Sequence, residues 1–246
     1  MSNHNYYICK LLKACGKGIT TVFFLFLCCA GTAQIHELGV FLGGSNFIGD
    51  VGKTNYINPN ELALGGIYKW NKSSRYSYRA MLSYTKLHAD DTDSGDQARE
   101  ARGYAFSNKI LEASLGIEFN FWEFDLHSLH RPFTPYIYAG VAGLNYRMWY
   151  LEQSTEQLRP QKRRTTLAFP FGLGVKGEVL PNLILGAEVI VRYSLANDID
   201  GSYPEKEPEA GDYRVFGSYN TNDWYVFSGI TLTYTFGKRP CNYCYD

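Results

Sequence analysis

An all-β fold, an eight-stranded antiparallel transmembrane barrel of the outer-membrane kind, is what this sequence predicts, and three observations predict it. Apolar and polar residues alternate with period two along most of the chain after the first 33 residues. The connections between alternating segments are long at the odd positions, and two of the even ones are short. The last segment closes on aromatic residues at every second position, ending at Phe236.

The N-terminus reads as an export signal, residues 1–33. Lys10, Lys13 and Lys17 precede the apolar run 19–30, and Gly31, Thr32 and Ala33 supply small residues at a cleavage site. The run is too short for a retained membrane helix and no basic cluster follows it. The whole chain balances 24 basic against 24 acidic residues, and loss of the three lysines leaves a net charge of −3. That excludes a protein that holds nucleic acid through a large positive field. Aromatics at 16% exclude a disordered chain.

Eight segments carry the alternation: 35–47, 60–70, 76–87, 110–121, 134–149, 164–179, 183–193 and 224–236. The clearest is 183–193, where Leu183, Leu185, Ala187, Val189, Val191 and Tyr193 share one face and Ile184, Gly186, Glu188, Ile190 and Arg192 the other. Side chains alternate across a strand, so each segment has an apolar and a polar face. At 11–16 residues these exceed common soluble strands and match tilted membrane strands with projecting ends. In such a barrel the apolar face meets lipid and the polar face lines the lumen. The mid-strand charges Glu61, Lys69, Arg79, Glu112, Glu118, Lys176, Glu178, Glu188 and Arg192 are then expected to pair across a plugged interior, because unpaired buried charge is costly.

The odd connections 48–59, 88–109, 150–163 and 194–223 are expected outside the cell, and the tight turns 71–75 and 181–182 in the periplasm. The connection 122–133 is longer than that rule prefers. Trp70, Tyr76, Tyr78, Tyr84, Tyr136, Tyr138, Tyr146, Trp149, Trp224 and Tyr234 near strand ends suggest aromatic girdles, although strand propensity also favours aromatics. Gly229, Leu232, Tyr234 and Phe236 resemble the terminal signal read by the outer-membrane assembly machinery. Residues 34–236 form the barrel, and 237–246 a periplasmic tail.

No enzymatic constellation emerges. Ser83 and Ser114 have no strand histidine beside them, and no nucleophile-elbow motif is present. His127 and His130 have metal-like spacing without a third ligand, and no cofactor is expected. The acidic stretches 90–96 and 198–201 lack the ligand spacing of a calcium loop and read as solvated loops. Cys241 and Cys244 survive cleavage of the signal in an oxidising compartment. A local disulfide and a disulfide or non-covalent docking with a periplasmic partner both fit them; a thioredoxin-type role lacks its helix and βαβ frame.

Two blocks carry a family resemblance. They are Phe133-Thr134-Pro135-Tyr136-Ile137-Tyr138-Ala139-Gly140 and Asp223-Trp224-Tyr225-Val226-Phe227 with the strand that follows. The Gly-rich entry 38–50, Gly65-Gly66-Ile67-Tyr68-Lys69-Trp70 and 169–176 add to it. In order and spacing, these resemble the PorG-like outer-membrane barrels of the type IX secretion system, over about 35–236. The resemblance implies a non-enzymatic component of that apparatus, in contact with outer-membrane lipids. It also implies association with a periplasmic ring of a PorK/GldK-type lipoprotein and a PorN/GldN-type protein, serving cargo export and, where present, gliding. The alternative is a stand-alone structural or adhesive barrel that binds an external ligand through its long loops. A small lipid-modifying enzyme would need a His/Ser/Asp group that the sequence does not assemble.

Overall fold

The computed structural model describes residues 35–126, 131–203, 213–218 and 221–237. The export signal, the tail with Cys241 and Cys244, and His127 and His130 lie outside the described residues. Among the described residues nine strands run in chain order: β1 (Ile35–Ile48), β2 (Glu61–Asn71), β3 (Tyr76–Asp90), β4 (Ala105–Asn120), β5 (Phe133–Glu152), β6 (Leu158–Leu180), β7 (Leu183–Ser194), β8 (Tyr213–Arg214) and β9 (Trp224–Phe236). A 3-10 turn (Asp91–Asp93) and α1 (Gln97–Arg102) sit between β3 and β4.

Sequential antiparallel pairing runs from β1 to β7. β9 pairs with β7 on one side and returns to β1 on the other, from His36 opposite Phe236 to Ile48 opposite Trp224. Each of the eight long strands therefore has two partners, and the sheet closes without a free edge over its common length.

The faces are inverted relative to a water-soluble protein. Leu115 and Leu173, at strand centres, are each 64% exposed, while Arg79 at 1% and Glu118 at 0% are buried. Leu38, Val40, Leu62, Leu82, Ile117, Phe171, Leu185 and Ile230 continue the exposed apolar wall around the ring. Water would disfavour such a surface at about 25 cal/mol per Å², whereas hydrocarbon accepts it. The alternation read from sequence thus sorts residues to outside and inside as expected of an outer-membrane barrel.

At the end of the ring bearing the tight turns, aromatic rings link along and across strands on the outer wall. His36 stacks near Tyr68 and Phe236, Trp70 meets Tyr78, Tyr78 meets Tyr76, Phe119 meets Phe121, and Trp122 meets Phe133. This is a girdle. Tyr136, Tyr138 and Tyr146, expected in it, are instead at most 3% exposed inside the barrel, because they share parity with Ala142 and Leu144. Their rings need space from the next strand. A Cβ at Gly174 would lie 2.4 Å from the Tyr136 ring, and one at Gly116 would lie 2.6 Å from that of Tyr138. These glycines are sockets for tyrosines.

The connection expected over 150–163 is only 153–157, turned by Glu156 at φ 53°. β5 and β6 run on as a projecting hairpin, and β8 adds beside it through Leu151–Arg214 and Glu152–Tyr213. Beyond the membrane wall the residues lose apolar alternation, which is why the period-two signal stopped short there. The two-residue turn Pro181-Asn182 holds Asn182 at φ 69°, a left-handed conformation that asparagine tolerates.

Leu115→Arg should cost about 2–4 kcal/mol of unfolding free energy for the chain folded into lipid vesicles. Urea titration by tryptophan fluorescence reads it. An unchanged midpoint would mean that this wall does not face hydrocarbon.

Candidate functional site

The lumen holds three layers, and the middle one is ionic. Lys69, Arg79, Lys176 and Arg192 lie there with Glu37, Glu112, Glu118 and Glu188, all nearly excluded from solvent. The cations and anions are equal in number, so the layer is formally neutral. Glu118, on β4, receives Lys69 at 2.8 Å, Lys176 at 2.9 Å and Arg79 at 3.2 Å from three other strands. Arg79 reaches across to Glu188 with both terminal nitrogens at 2.7 Å, and Tyr136 donates to the same carboxylate at 2.5 Å. A second pair stands nearer the long loops: Arg192 Nε lies 3.0 Å from both Glu112 oxygens, and Tyr225 donates to Glu112 at 2.5 Å. Glu37 accepts from Asn71 and Thr233, each at 2.8 Å.

Seven of the nine expected lumen charges are in this layer. Glu61 and Glu178 are not. Each sits where its strand leaves the barrel, Glu61 beside Lys86 at 2.9 Å and Glu178 accepting the Asn182 N–H at 2.8 Å. Glu37 was missed, although its parity gave it away, since Leu38, Val40 and Leu42 face outward.

Toward the long connections the lumen becomes apolar. Phe41, Phe47, Ile67, Leu87, Phe106, Ile110, Leu144 and Phe227 pack with Ala196 and Ile199 from the β7–β8 connection. That connection folds into the barrel mouth and is held by carboxylates. Asp223 accepts the Ile199 N–H at 3.0 Å, Asp198 accepts from Tyr146 and from Arg164 at 2.6 Å, and in the next connection, β8–β9, the Ser218 N–H donates to Asp50 at 2.8 Å. Tyr104 donates to the Asp200 carbonyl at 2.7 Å, and Asn108 to that of Ile199 at 2.8 Å.

The stretches 90–96 and 198–201 are therefore not simply solvated. Asp91 is fully buried, takes two contacts from Arg102 at 2.6 and 2.8 Å, and accepts the Gly52 N–H at 3.0 Å. Asp90 and Asp96 cap the first turns of the short helices. Among the described residues no group of three or more His, Cys, Asp or Glu is arranged to hold a metal. Burial pushes the Asp200 carboxyl up to about 7, and burial with Asp200, Asp198 and Asp50 nearby raises that of Asp223 as well. Asp91 and its neighbours hold the Arg102 guanidinium protonated more firmly than usual.

The opposite mouth is also closed. The connection over 122–133, too long for a turn, carries Phe124 and Leu126 under the barrel, packed with Ile35 and Ile184. Lys176 Nζ stands 5.0 Å from the centre of the Phe124 ring, so this floor adjoins the ionic layer. Phe124 N–H donates to Ser74 at 3.0 Å, Arg75 donates to the Phe121 carbonyl at 2.7 Å, and Trp122 N–H donates to Thr134 Oγ1 at 3.0 Å.

Ser83 and Ser114 are buried in the lumen. His36 is on the outer wall and His88 at the loop-end rim, where its ring bonds the Phe106 carbonyl. A cleft of about 70 Å³ beside His88, lined by Asn46, Lys53, Asn58, Asn60 and Asp93, has room for about two waters. In the last strand, Leu232, Tyr234 and Phe236 point outward, and Gly229 lies opposite Gly43 across the closing seam.

Residues 16–246 match a family model described as a domain of unknown function, DUF6089. No curated protein sequence matches the chain. Solved structures similar to it include Ail, the attachment invasion locus protein of Yersinia pestis, in complex with a heparin analogue. The identity is 11%, the TM-score 0.45, and the match covers 83% of this chain and all of that one. Neisserial surface protein A is similar at 10% identity and TM-score 0.44, over 83% of this chain and 98% of the other. The N-terminal barrel domain of Pseudomonas aeruginosa OprF is similar at 13% and 0.41, over 84% and 99%.

Glu118→Gln should destabilise the folded barrel by about 3–5 kcal/mol, since three buried cations lose their shared anion. Glu123→Gln, which breaks an exposed pair with Arg75, should cost under about 1 kcal/mol. Urea midpoints in vesicles decide whether the two differ. The loop-end closure has its own pH dependence. Asp200 and Asp223 hold protons in the folded state that an unfolded aspartate has lost, so the closure is firmest below about pH 4 and weakens as pH rises toward about 7. Hydrogen exchange over 195–203 should be faster at about pH 8 than at about pH 5, once corrected for intrinsic rate.

Proposed function

The chain belongs to the DUF6089 family, and we propose that it is a non-enzymatic outer-membrane barrel that anchors or assembles the periplasmic ring of type IX secretion. The observation that carries the non-conducting part of this reading is the doubly closed, ion-paired lumen. A neutral layer in which Glu118 binds three cations, with Phe124 and Leu126 below and Ile199 above, suits a rigid anchor rather than a conduit. The exposed apolar wall supports placement in the outer membrane. The secretion role rests on the resemblance carried by residues 133–140 and 223–236.

In this reading the long connections face the exterior, and the floor, both termini and the tail face the periplasm. Cys241 and Cys244 would then meet ring proteins there, through a disulfide or by docking, and Gly229, Leu232, Tyr234 and Phe236 would serve the assembly machinery. Surrounding lipids are the other partner.

The projecting β5–β6 hairpin favours a second reading, a stand-alone adhesive barrel that binds an external ligand. Deleting the gene separates the two. The anchor reading expects cargo to be lost from the medium and retained in the periplasm, restored by the full chain. Intact secretion with lost surface attachment would favour the adhesin.

A further inference from the structure

Four long cations stand side by side on the outer wall. Lys86 lies opposite Lys109 across β3–β4, and Arg147 opposite Arg163 across β5–β6. The two pairs adjoin: Asn108 Nδ2 donates to the Arg147 carbonyl at 2.7 Å, and the Arg147 N–H donates to Asn108 Oδ1 at 3.2 Å. One row thus crosses four neighbouring strands, spanning about 14 Å at the usual strand spacing. Lys109, Arg147 and Arg163 are exposed, and the Lys86 side chain is 44% exposed.

Like charges directly opposite one another destabilise a sheet, and here two such pairs are neighbours. Their compensation is thin. Glu61 pairs with Lys86, and Arg163 donates to the neutral Asn145 at 2.9 Å. Among the described residues, no carboxylate pairs with Lys109, Arg147 or Arg163.

The position of the row says what would neutralise it. One outward step down the wall from Lys86 is Tyr84, and from Lys109 it is Leu111, 49% and 44% exposed. On β5 and β6, Asn145 and Thr165 intervene before the apolar wall resumes at Val141 and Leu167. The cations therefore line the loop-end border of the apolar wall along one side of the barrel. On the remaining side, the outward residues near that border include Leu42, Leu62, Tyr193 and Trp224, which are uncharged.

We propose that Lys86, Lys109, Arg147 and Arg163 bind the phosphate groups of anionic lipids in the leaflet that surrounds the loop end of the barrel. This rests on the membrane reading above. The aliphatic stems lie along apolar wall while the charged heads reach the headgroup level. Arg147 and Arg163 offer planar forks that take phosphate oxygens two at a time, and the lysines add point charges. A soluble anion would draw no benefit from the adjoining apolar wall, whereas a lipid fills both regions with one molecule.

The test uses the full mature chain folded in detergent, mixed with phosphatidic acid, phosphatidylcholine or inositol hexakisphosphate and read by native mass spectrometry. Wild type should retain phosphatidic acid over phosphatidylcholine, and Lys109→Gln/Arg147→Gln/Arg163→Gln should lose that preference by about fivefold per charge removed. The charge-keeping variant Lys109→Arg/Arg147→Lys/Arg163→Lys should keep most of it. A preference absent in wild type, or unaltered in the glutamine variant, overturns the proposal. Inositol hexakisphosphate bound as tightly as the lipid overturns the lipid as ligand. Folding is checked separately by the faster migration of unboiled protein on a gel and by insertion into vesicles. Failure of wild type there overturns the membrane reading itself, which a missing lipid preference in a properly inserted barrel does not.

Discussion

The fold depends on closing a ring of strands around charges that cannot be left single. Once β9 returns to β1, the polar face of every strand is turned inward, and whatever it carries must be satisfied there. Glu118 meets that demand for three strands at once, and Glu188 ties β3 to β7 across the barrel through Arg79. Hydrophobic isosteres would fill the same space with less desolvation cost. What the ionic layer adds is specificity, since a strand slipped by one residue would turn its charges toward lipid.

The two closures complete that logic. The ionic layer lies between an apolar cluster toward the long connections and an apolar floor at the other end, and in that low-dielectric setting a charge left without its partner is costly. Glycine sockets at 116 and 174 let Tyr138 and Tyr136 lie flat within the same space. Side chains thus occupy an interior that an eight-stranded ring makes just wide enough for them.

The barrel wall was legible from sequence because lipid and lumen impose opposite demands on successive residues. Arg79, Glu112, Glu118, Lys176, Glu188, Arg192 and Lys69 sit where parity put them. Parity fails where a strand leaves the membrane, which is why Glu61 and Glu178 fall at the rims and why β5 and β6 run past their expected ends. The closures were not legible as such, because connections carry no period. The available signal was local: Phe124 and Leu126 are too apolar for a solvated turn, and Ile199 stands between two aspartates whose burial only the folded loop reveals. The basic row is a register effect, since its members are far apart in the chain and meet only when four strands pair.

The central claim is that this barrel is sealed. Ion conductance of the purified, membrane-inserted chain in a planar bilayer tests it most directly. A sealed lumen predicts no steady single-channel steps above background, together with full insertion judged by unboiled-gel mobility of the recovered protein. Reproducible conductance steps from the inserted wild-type chain would contradict the account, because they would require water and ions to pass through the layer built on Glu118 and Arg79.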